Sequence, residues 1–98
     1  NLLDVLKDKY FIILTSGRDE VCREETNKWL RENDVPYGML LMRPEGDIRK
    51  DSIVKRELFE RYIRDYYNIE FVLDDRNQVV EMWRSLGLKC LQVQEGDF

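Results

Sequence analysis

Three short words in this sequence carry side chains with which proteins handle phosphoryl groups. Ser16-Gly17-Arg18 offers a hydroxyl, a glycine turn and a guanidinium. Asp51 and Lys55 stand one helical turn apart, and Asp74-Asp75 is a pair of adjacent carboxylates. Each lies where an apolar run hands over to polar residues. A hydroxyl and the backbone N–H groups of a glycine turn can cradle a phosphoryl oxygen at the start of a helix, and a guanidinium can clamp one through two parallel bonds. Adjacent carboxylates repel each other unless a cation, a lysine or a helix N-terminus compensates. Magnesium, for its part, is satisfied by one or two carboxylates together with substrate oxygens and waters.

Each word also has a plainer reading. A Ser-Gly turn is a common connector, and Arg18 is equally at home in solvent. Asp74 can cap a helix with Asp75 as a favourable acid at its first position. Lys55 can pair with Asp51 on a helix surface for only about 0.3–0.5 kcal/mol, or it can point its ammonium at the charge between a phosphate and metal carboxylates.

The elements that must position these groups follow from two hydropathy periods. Leu2, Leu6 and Tyr10 recur at helical spacing, and Tyr10 to Leu14 is a continuous apolar run, as in a strand covered on both faces. That strand is expected to stop at Thr15-Ser16-Gly17. Asp19 to Asn33 reads as a helix with acids in its first turn and an apolar stripe of Cys22, Trp29 and Leu30, broken by Asp34 to Pro36. Tyr37 to Met42 makes a second strand. A helix follows from about Asp51 to Tyr66, with Asp51 placed to cap it and Ile53, Val54, Leu58, Phe59, Tyr62, Ile63 and Tyr66 on one face. Ile69 to Leu73 is a third strand, Asn77 to Leu86 a helix closed by Gly87, and Leu88 to Val93 a fourth strand.

Strands separated by single helices imply right-handed crossovers, hence an α/β parallel sheet with helices on both faces. Ligands of such sheets bind beyond the carboxyl ends of the strands. Ser16, Arg18, Arg43, Asp47, Asp74, Asp75 and Asp97 all fall at those ends, so they are expected to converge on one rim.

Composition narrows the function classes. The chain has 98 residues, so one domain is expected, with a core that has little to spare. It is 43% hydrophobic and 37% charged, and no apolar run approaches the length of a membrane span, which predicts a soluble protein with no membrane partner. Sixteen basic against twenty acidic residues give a net charge of −4, which argues against a broad nucleic-acid platform while leaving room for local basic loops. Histidine is absent, which excludes histidine bases and histidine-ligated zinc. Cys22 and Cys90 lack a CxxC spacing and read as reduced buried thiols of an intracellular protein. Asn1 to Tyr10 has no secretory pattern and no initiator methionine, so the start reads as a cut or trimmed end.

The order of hydroxyl, lysine and acid pair along successive strands resembles the haloacid-dehalogenase (HAD) superfamily of phosphotransferases. More closely, the chain is similar to the C-terminal 3′-phosphatase domains of the bacteriophage polynucleotide kinase/3′-phosphatase family. The words that carry the resemblance are Ser16-Gly17-Arg18, Gly46-Asp47, Arg49-Lys50-Asp51, Val54-Lys55 and Asp74-Asp75-Arg76. They continue with Gln78-Val79-Val80-Glu81-Met82-Trp83-Arg84, Gly87, Cys90, Gln92-Val93 and the closing Gly96-Asp97-Phe98. Together they cover nearly the whole chain, and the closing word suggests a genuine C-terminus.

The resemblance implies a HAD-like Rossmannoid fold and a Mg2+-dependent phosphatase that forms an aspartyl-phosphate at 3′-phosphate ends of DNA or RNA during end repair. By the same token Ser16 hydrogen-bonds the phosphoryl group. Ser16, Gly17 and Arg18 bind substrate, with Arg49 and Arg76 assisting at the nucleic-acid end. Lys55, positioned by Asp51, stabilises phosphoryl charge; Asp75 binds Mg2+ directly, and Asp74 supports the metal through water or the lysine. Ser16, Arg18, Asp51, Lys55 and Asp74 thus form the implied catalytic set.

One part of the family pattern is missing. No Asp-x-Asp occurs in the sequence, and Asp4 is followed by Val5 and Leu6 within a helical pattern. About four strands are therefore expected, without the first, nucleophile-bearing strand and without the kinase domain. The chain alone is then expected to be inactive, and its implied partners are a missing N-terminal segment or kinase domain and nucleic-acid ends. Unpaired edges left by the missing strand also invite a second copy. The implied location is the cytoplasm, of the host cell if phage-encoded. A HAD phosphatase for a small phosphorylated metabolite, or a binding module without the nucleophile, fits the same residues.

Overall fold

The computed structural model describes residues 2–97; Asn1, and Phe98 at the end of the closing word quoted above, lie outside the described residues. The elements are α1 (Leu2–Leu6), β1 (Ile13–Asp19), a 3₁₀ turn (Glu20–Cys22), α2 (Arg23–Glu32), β2 (Met39–Arg43), α3 (Asp51–Tyr62), β3 (Val72–Arg76), α4 (Asn77–Ser85) and β4 (Cys90–Gly96). The chain divides into two compact units, Asn1–Ile48 and Arg49–Phe98. The architecture is α/β, with parallel strands joined by helices.

In the first unit β1 pairs in parallel with β2, from Ile13 opposite Met39 to Ser16 opposite Met42, and after a register shift Asp19 stands opposite Arg43. Leu30, Leu40 and Met42 form the buried centre, with Leu14, Cys22, Val35 and Tyr37 packed around them. Thr26 and Leu30, one turn apart on α2, face this centre. Trp29 does not: it is 57% exposed, which corrects the expected stripe.

In the second unit β3 pairs in parallel with β4, Val72 opposite Cys90 and Asp74 opposite Gln92, with a shift before Arg76 meets Gly96. Val54, Leu58, Phe59, Ile63, Val79, Val80, Met82, Trp83 and Cys90 are buried. The helices α3 and α4 meet through Phe59 and Trp83, ring edge to ring face at 5.8 Å. The α3 helix ends at Tyr62, short of the expected Tyr66, and Ile53, Tyr62 and Tyr66 stay exposed. Asp51 is the first helical residue rather than the cap. Lys50 holds the cap position without a side-chain bond, and the Ser52 N–H donates to Gln78 Oε1 at 3.4 Å. Gly87 follows α4 at φ +83°, the left-handed conformation expected after a helix.

Every strand begins and ends later than its apolar run suggests. Tyr10 to Ile12 and Ile69 to Phe71 lead into β1 and β3, while Ser16-Gly17-Arg18 and Asp74-Asp75-Arg76 belong to the strands rather than to turns beyond them. Ladder bonds need backbone groups, not apolar side chains, so pairing continues into the polar residues. Ile13, Leu14, Val72 and Leu73 are half-buried rather than covered on both faces. Among the described residues β1 and β3 each pair with a single neighbour, which leaves each with an open edge. No described helix is long and apolar enough to cross a membrane.

Candidate functional site

The second unit gathers a charge cluster at the junction of α3, β3 and α4. Lys55 Nζ lies 3.5 Å from Asp51 Oδ2 and 3.6 Å from Asp74 Oδ2. Arg76 approaches Asp51 Oδ2 at 3.5 Å. The side chains of Lys55, Asp51 and Asp74 are only 12%, 10% and 11% exposed, so this is not the surface pair that i,i+4 spacing alone would give. Helix geometry brings Asp51 and Lys55 to the same face, and β3 delivers Asp74 to the same ammonium. Two basic and two acidic groups balance within this cluster, which offsets the desolvation of each.

Asp74 is held from three directions. The Trp83 indole N–H donates to Oδ2 at 3.2 Å, Lys55 faces the same oxygen, and the Asp75 N–H donates to Oδ1 at 2.8 Å. Asp75, one residue further along β3, is exposed, and its carboxylate has no hydrogen bond or ion pair among the described residues. It adds one uncompensated negative charge beside a neutral cluster. Gln92 Nε2 donates to the Asp75 carbonyl at 2.9 Å and to Asn77 Oδ1 at 2.7 Å; Asn77 Oδ1 also accepts from the Gly96 N–H at 3.2 Å, so β4 secures the backbone that presents Asp75. Among the described residues no group of three or more His, Cys, Asp or Glu comes together as a metal site. Cys90 lies buried in the same unit. Burial first, and the Asp74 charge second, push its thiol up, so it stays protonated and inert.

The first unit presents Ser16-Gly17-Arg18 at the register shift of β1. Ser16 Oγ accepts the Arg18 N–H at 3.1 Å, which leaves its own proton to donate elsewhere. The Gly17 carbonyl accepts from Arg43 Nε at 2.7 Å, and Arg43 also donates to the Asp47 carbonyl at 3.2 Å. Arg18 is exposed. Asp19, which the sequence reading used only as a helix start, ties the strand end to the following loop: its carboxylate accepts from the Val21 and Gly46 N–H groups, both at 2.8 Å. Those two bonds, with help from the Arg43 charge, hold its carboxyl below the usual aspartate range.

The sign of the resulting pH dependence is fixed. A lowered carboxyl pKa stabilises the folded form above the unfolded-state value, and that contribution is lost as pH falls through the lower folded-state value. The Val21 and Gly46 amide resonances should therefore shift together on acidification, with a midpoint below that of an ordinary aspartate. A midpoint at or above the ordinary value contradicts the tie.

Of the residues expected from the sequence, Asp51, Lys55, Asp74 and Arg76 are brought together in one unit, with Asp75 adjoining them on β3. Ser16, Gly17 and Arg18 lie together in the other. Arg49 is held at 2.6 Å by Glu57 of α3. Sequence reasoning missed Trp83 and Asn77 as polar partners. The signal was available in part: a tryptophan on the inward face of a helix must find an acceptor for its N–H.

Comparison with known proteins identifies the family. The family model described as the polynucleotide kinase PNKP phosphatase domain, of HAD type, matches residues 1–98. A chain of Autographa californica nuclear polyhedrosis virus, named as a bifunctional polynucleotide kinase/RNA ligase, is 42% identical over 78 residues, covering 79% of this chain and 11% of the viral one. Two solved structures, of a Pnkp1/Rnl/Hen1 complex and of the Pnkp1/Rnl/Hen1 RNA repair complex, match 99% of the chain at 49% identity and TM-score 0.95. The chain spans 34% and 32% of those two structural chains. On the extent of that match and the identity of these relatives, the chain belongs to the family of polynucleotide kinase PNKP phosphatase domains, within the HAD-type phosphatases.

Proposed function

We propose that this chain supplies the lysine-and-carboxylate part of a Mg2+-dependent phosphatase that removes 3′-phosphates from nucleic-acid ends during repair in the cytoplasm. The observation that carries the reading is the buried clamp of Lys55 between Asp51 and Asp74. Phosphoryl transfer demands positioning and fixed positive charge more than covalent help from most of the site. A buried ammonium oriented by two carboxylates is such a charge.

Asp75 suits magnesium, because an exposed, unengaged carboxylate is what that ion takes from a protein that leaves its other positions to water and substrate. Bound there, Mg2+ would supply Lewis-acid stabilisation of phosphoryl charge. Asp74, already committed to Lys55 and Trp83, acts on the site through the lysine. Ser16 donates its hydroxyl proton to a phosphoryl oxygen, and Arg18 and Arg76 meet the charge of the phosphate or the nucleic-acid end. The acceptor aspartate of an aspartyl-phosphate mechanism comes from polypeptide outside these 98 residues, since no Asp-x-Asp occurs within them. The open edges of β1 and β3 each suit a further strand. The names of the relatives, a polynucleotide kinase/RNA ligase and an RNA repair complex, favour RNA or DNA 3′ ends over sugar phosphates as substrate.

Phosphate release from 3′-phosphorylated oligonucleotides and from sugar phosphates, measured with Mg2+, tests the reading. The polypeptide that joins this chain to the acceptor aspartate should act on the oligonucleotide, and the 98-residue chain alone should be silent. Preference for sugar phosphates, or turnover by the chain alone, overturns it.

A further inference from the structure

We propose that Trp83 is a positioning residue of this phosphatase, holding the Asp74 carboxylate so that the carboxylate holds Lys55; the inference rests on the function proposed above. The indole N–H is 3.2 Å from Asp74 Oδ2, the oxygen that also faces the Lys55 ammonium at 3.6 Å. The second oxygen, Oδ1, takes the Asp75 N–H. A carboxylate bonded at only one oxygen still swings about its Cβ–Cγ bond. With donors on both oxygens its plane is fixed.

The choice of tryptophan has chemical content. Buried tryptophans need an acceptor for the N–H, and a backbone carbonyl would serve that need without touching the site. Here the acceptor is the charged group itself. An arginine or lysine in that place would also hold the oxygen, but it would bring a second full positive charge and compete with Lys55 for the same carboxylate. The indole fixes the oxygen as a neutral donor, which leaves Lys55 as the cation paired with Asp74. The ring is buried, Trp83 being 3% exposed, and Phe59 lies nearly perpendicular to it at 5.8 Å as one neighbour among the core residues. With Asp51 and Asp74 both beside the ammonium, a third N–H remains to meet phosphoryl charge.

Two variants separate the bond from the packing. Trp83→Phe removes the N–H and keeps an aromatic ring, whereas Phe59→Leu disturbs the same packing and keeps the N–H. In the polypeptide that carries the acceptor aspartate, Trp83→Phe should lower kcat roughly tenfold, about 1.4 kcal/mol of transition-state stabilisation, with KM for a 3′-phosphorylated oligonucleotide unchanged. Phe59→Leu should leave kcat near the parent value at a comparable loss of stability. An unchanged kcat in Trp83→Phe, or equal losses in both variants, overturns the proposal.

A second measurement needs no activity. In the 98-residue chain, the indole 15N–1H resonance of Trp83 should move on Asp74→Asn, while that of the exposed Trp29 stays in place as an internal reference. A Trp83 resonance indifferent to Asp74→Asn also overturns the proposal. Should the parent polypeptide release no 3′-phosphate, the function proposed above fails on its own assay, and the indole resonance still decides whether the N–H engages Asp74.

Discussion

On the function proposed above, Asp75→Asn should abolish Mg2+-supported 3′-phosphate release by the polypeptide that carries the acceptor aspartate, while leaving the stability of the chain where it was. The two halves of this expectation come from different facts. Asp75 is exposed and its carboxylate has no partner among the described residues, so replacing it by the isosteric amide breaks no internal contact, and stability should move by less than about 0.5 kcal/mol. The amide has no charge to offer a hard cation. Loss of the ligand removes electrostatic stabilisation of the transferring group, a change of at least roughly 10²–10³-fold in kcat. Steady-state turnover with a titration of Mg2+, beside urea denaturation of the same variant, measures both. Full activity at ordinary Mg2+ would remove Asp75 from the site, and an unfolded variant would show that the carboxylate is structural.

Lys55→Met should have a different profile and, on the function proposed above, cost activity and stability together. The methionine fills much of the space of the lysine stem but leaves Asp51 and Asp74, both about a tenth exposed, without the ammonium between them. Removing one partner of a buried ion pair costs about 3 kcal/mol, because the remaining charges stay desolvated. Arg76 still faces Asp51, and Trp83 still donates to Asp74, so the loss should fall short of complete unfolding. Adding Asp74→Asn to Lys55→Met should cost less than the sum of the two single changes, since the double variant no longer buries an unpaired charge there. Denaturation midpoints of the four proteins give the coupling energy. Strict additivity would mean that the Lys55–Asp74 contact contributes nothing in solution.

The sequence disclosed which residues lie near one another in the second unit better than it disclosed where elements start. Lys55 does lie beside both Asp51 and Asp74, whereas Arg76, expected at the nucleic-acid end, pairs with Asp51; periodicity alone found the inward positions Val54, Leu58, Val79, Val80 and Trp83. Strand positions were read too early because apolarity reports coverage by other layers, whereas parallel pairing depends on backbone groups. Ser16 and Asp74 are strand residues for that reason. Trp29 was misjudged because an apolar side chain beside Leu30 on the helix wheel can as easily sit at the margin as in the core. The cap assigned to Asp51 failed differently: two cations compete for its carboxylate, and their attraction outweighs a capping bond to its own helix. An inward tryptophan announces the need for an acceptor, but not that the acceptor is Asp74, since nine residues of separation become a contact only when the helix folds back on its strand.

A catalyst in bulk water must turn many solvent dipoles toward each new charge, and that turning is a large share of the barrier. The cluster around Lys55 is assembled from the folded chain's own groups, with every member braced by another. If it serves the function proposed above, its charges are fixed in place before substrate docks. On that reading little reorientation would be left to accompany the chemical step, and the work of orienting the electrostatic field would be done once, during folding, rather than at each turnover.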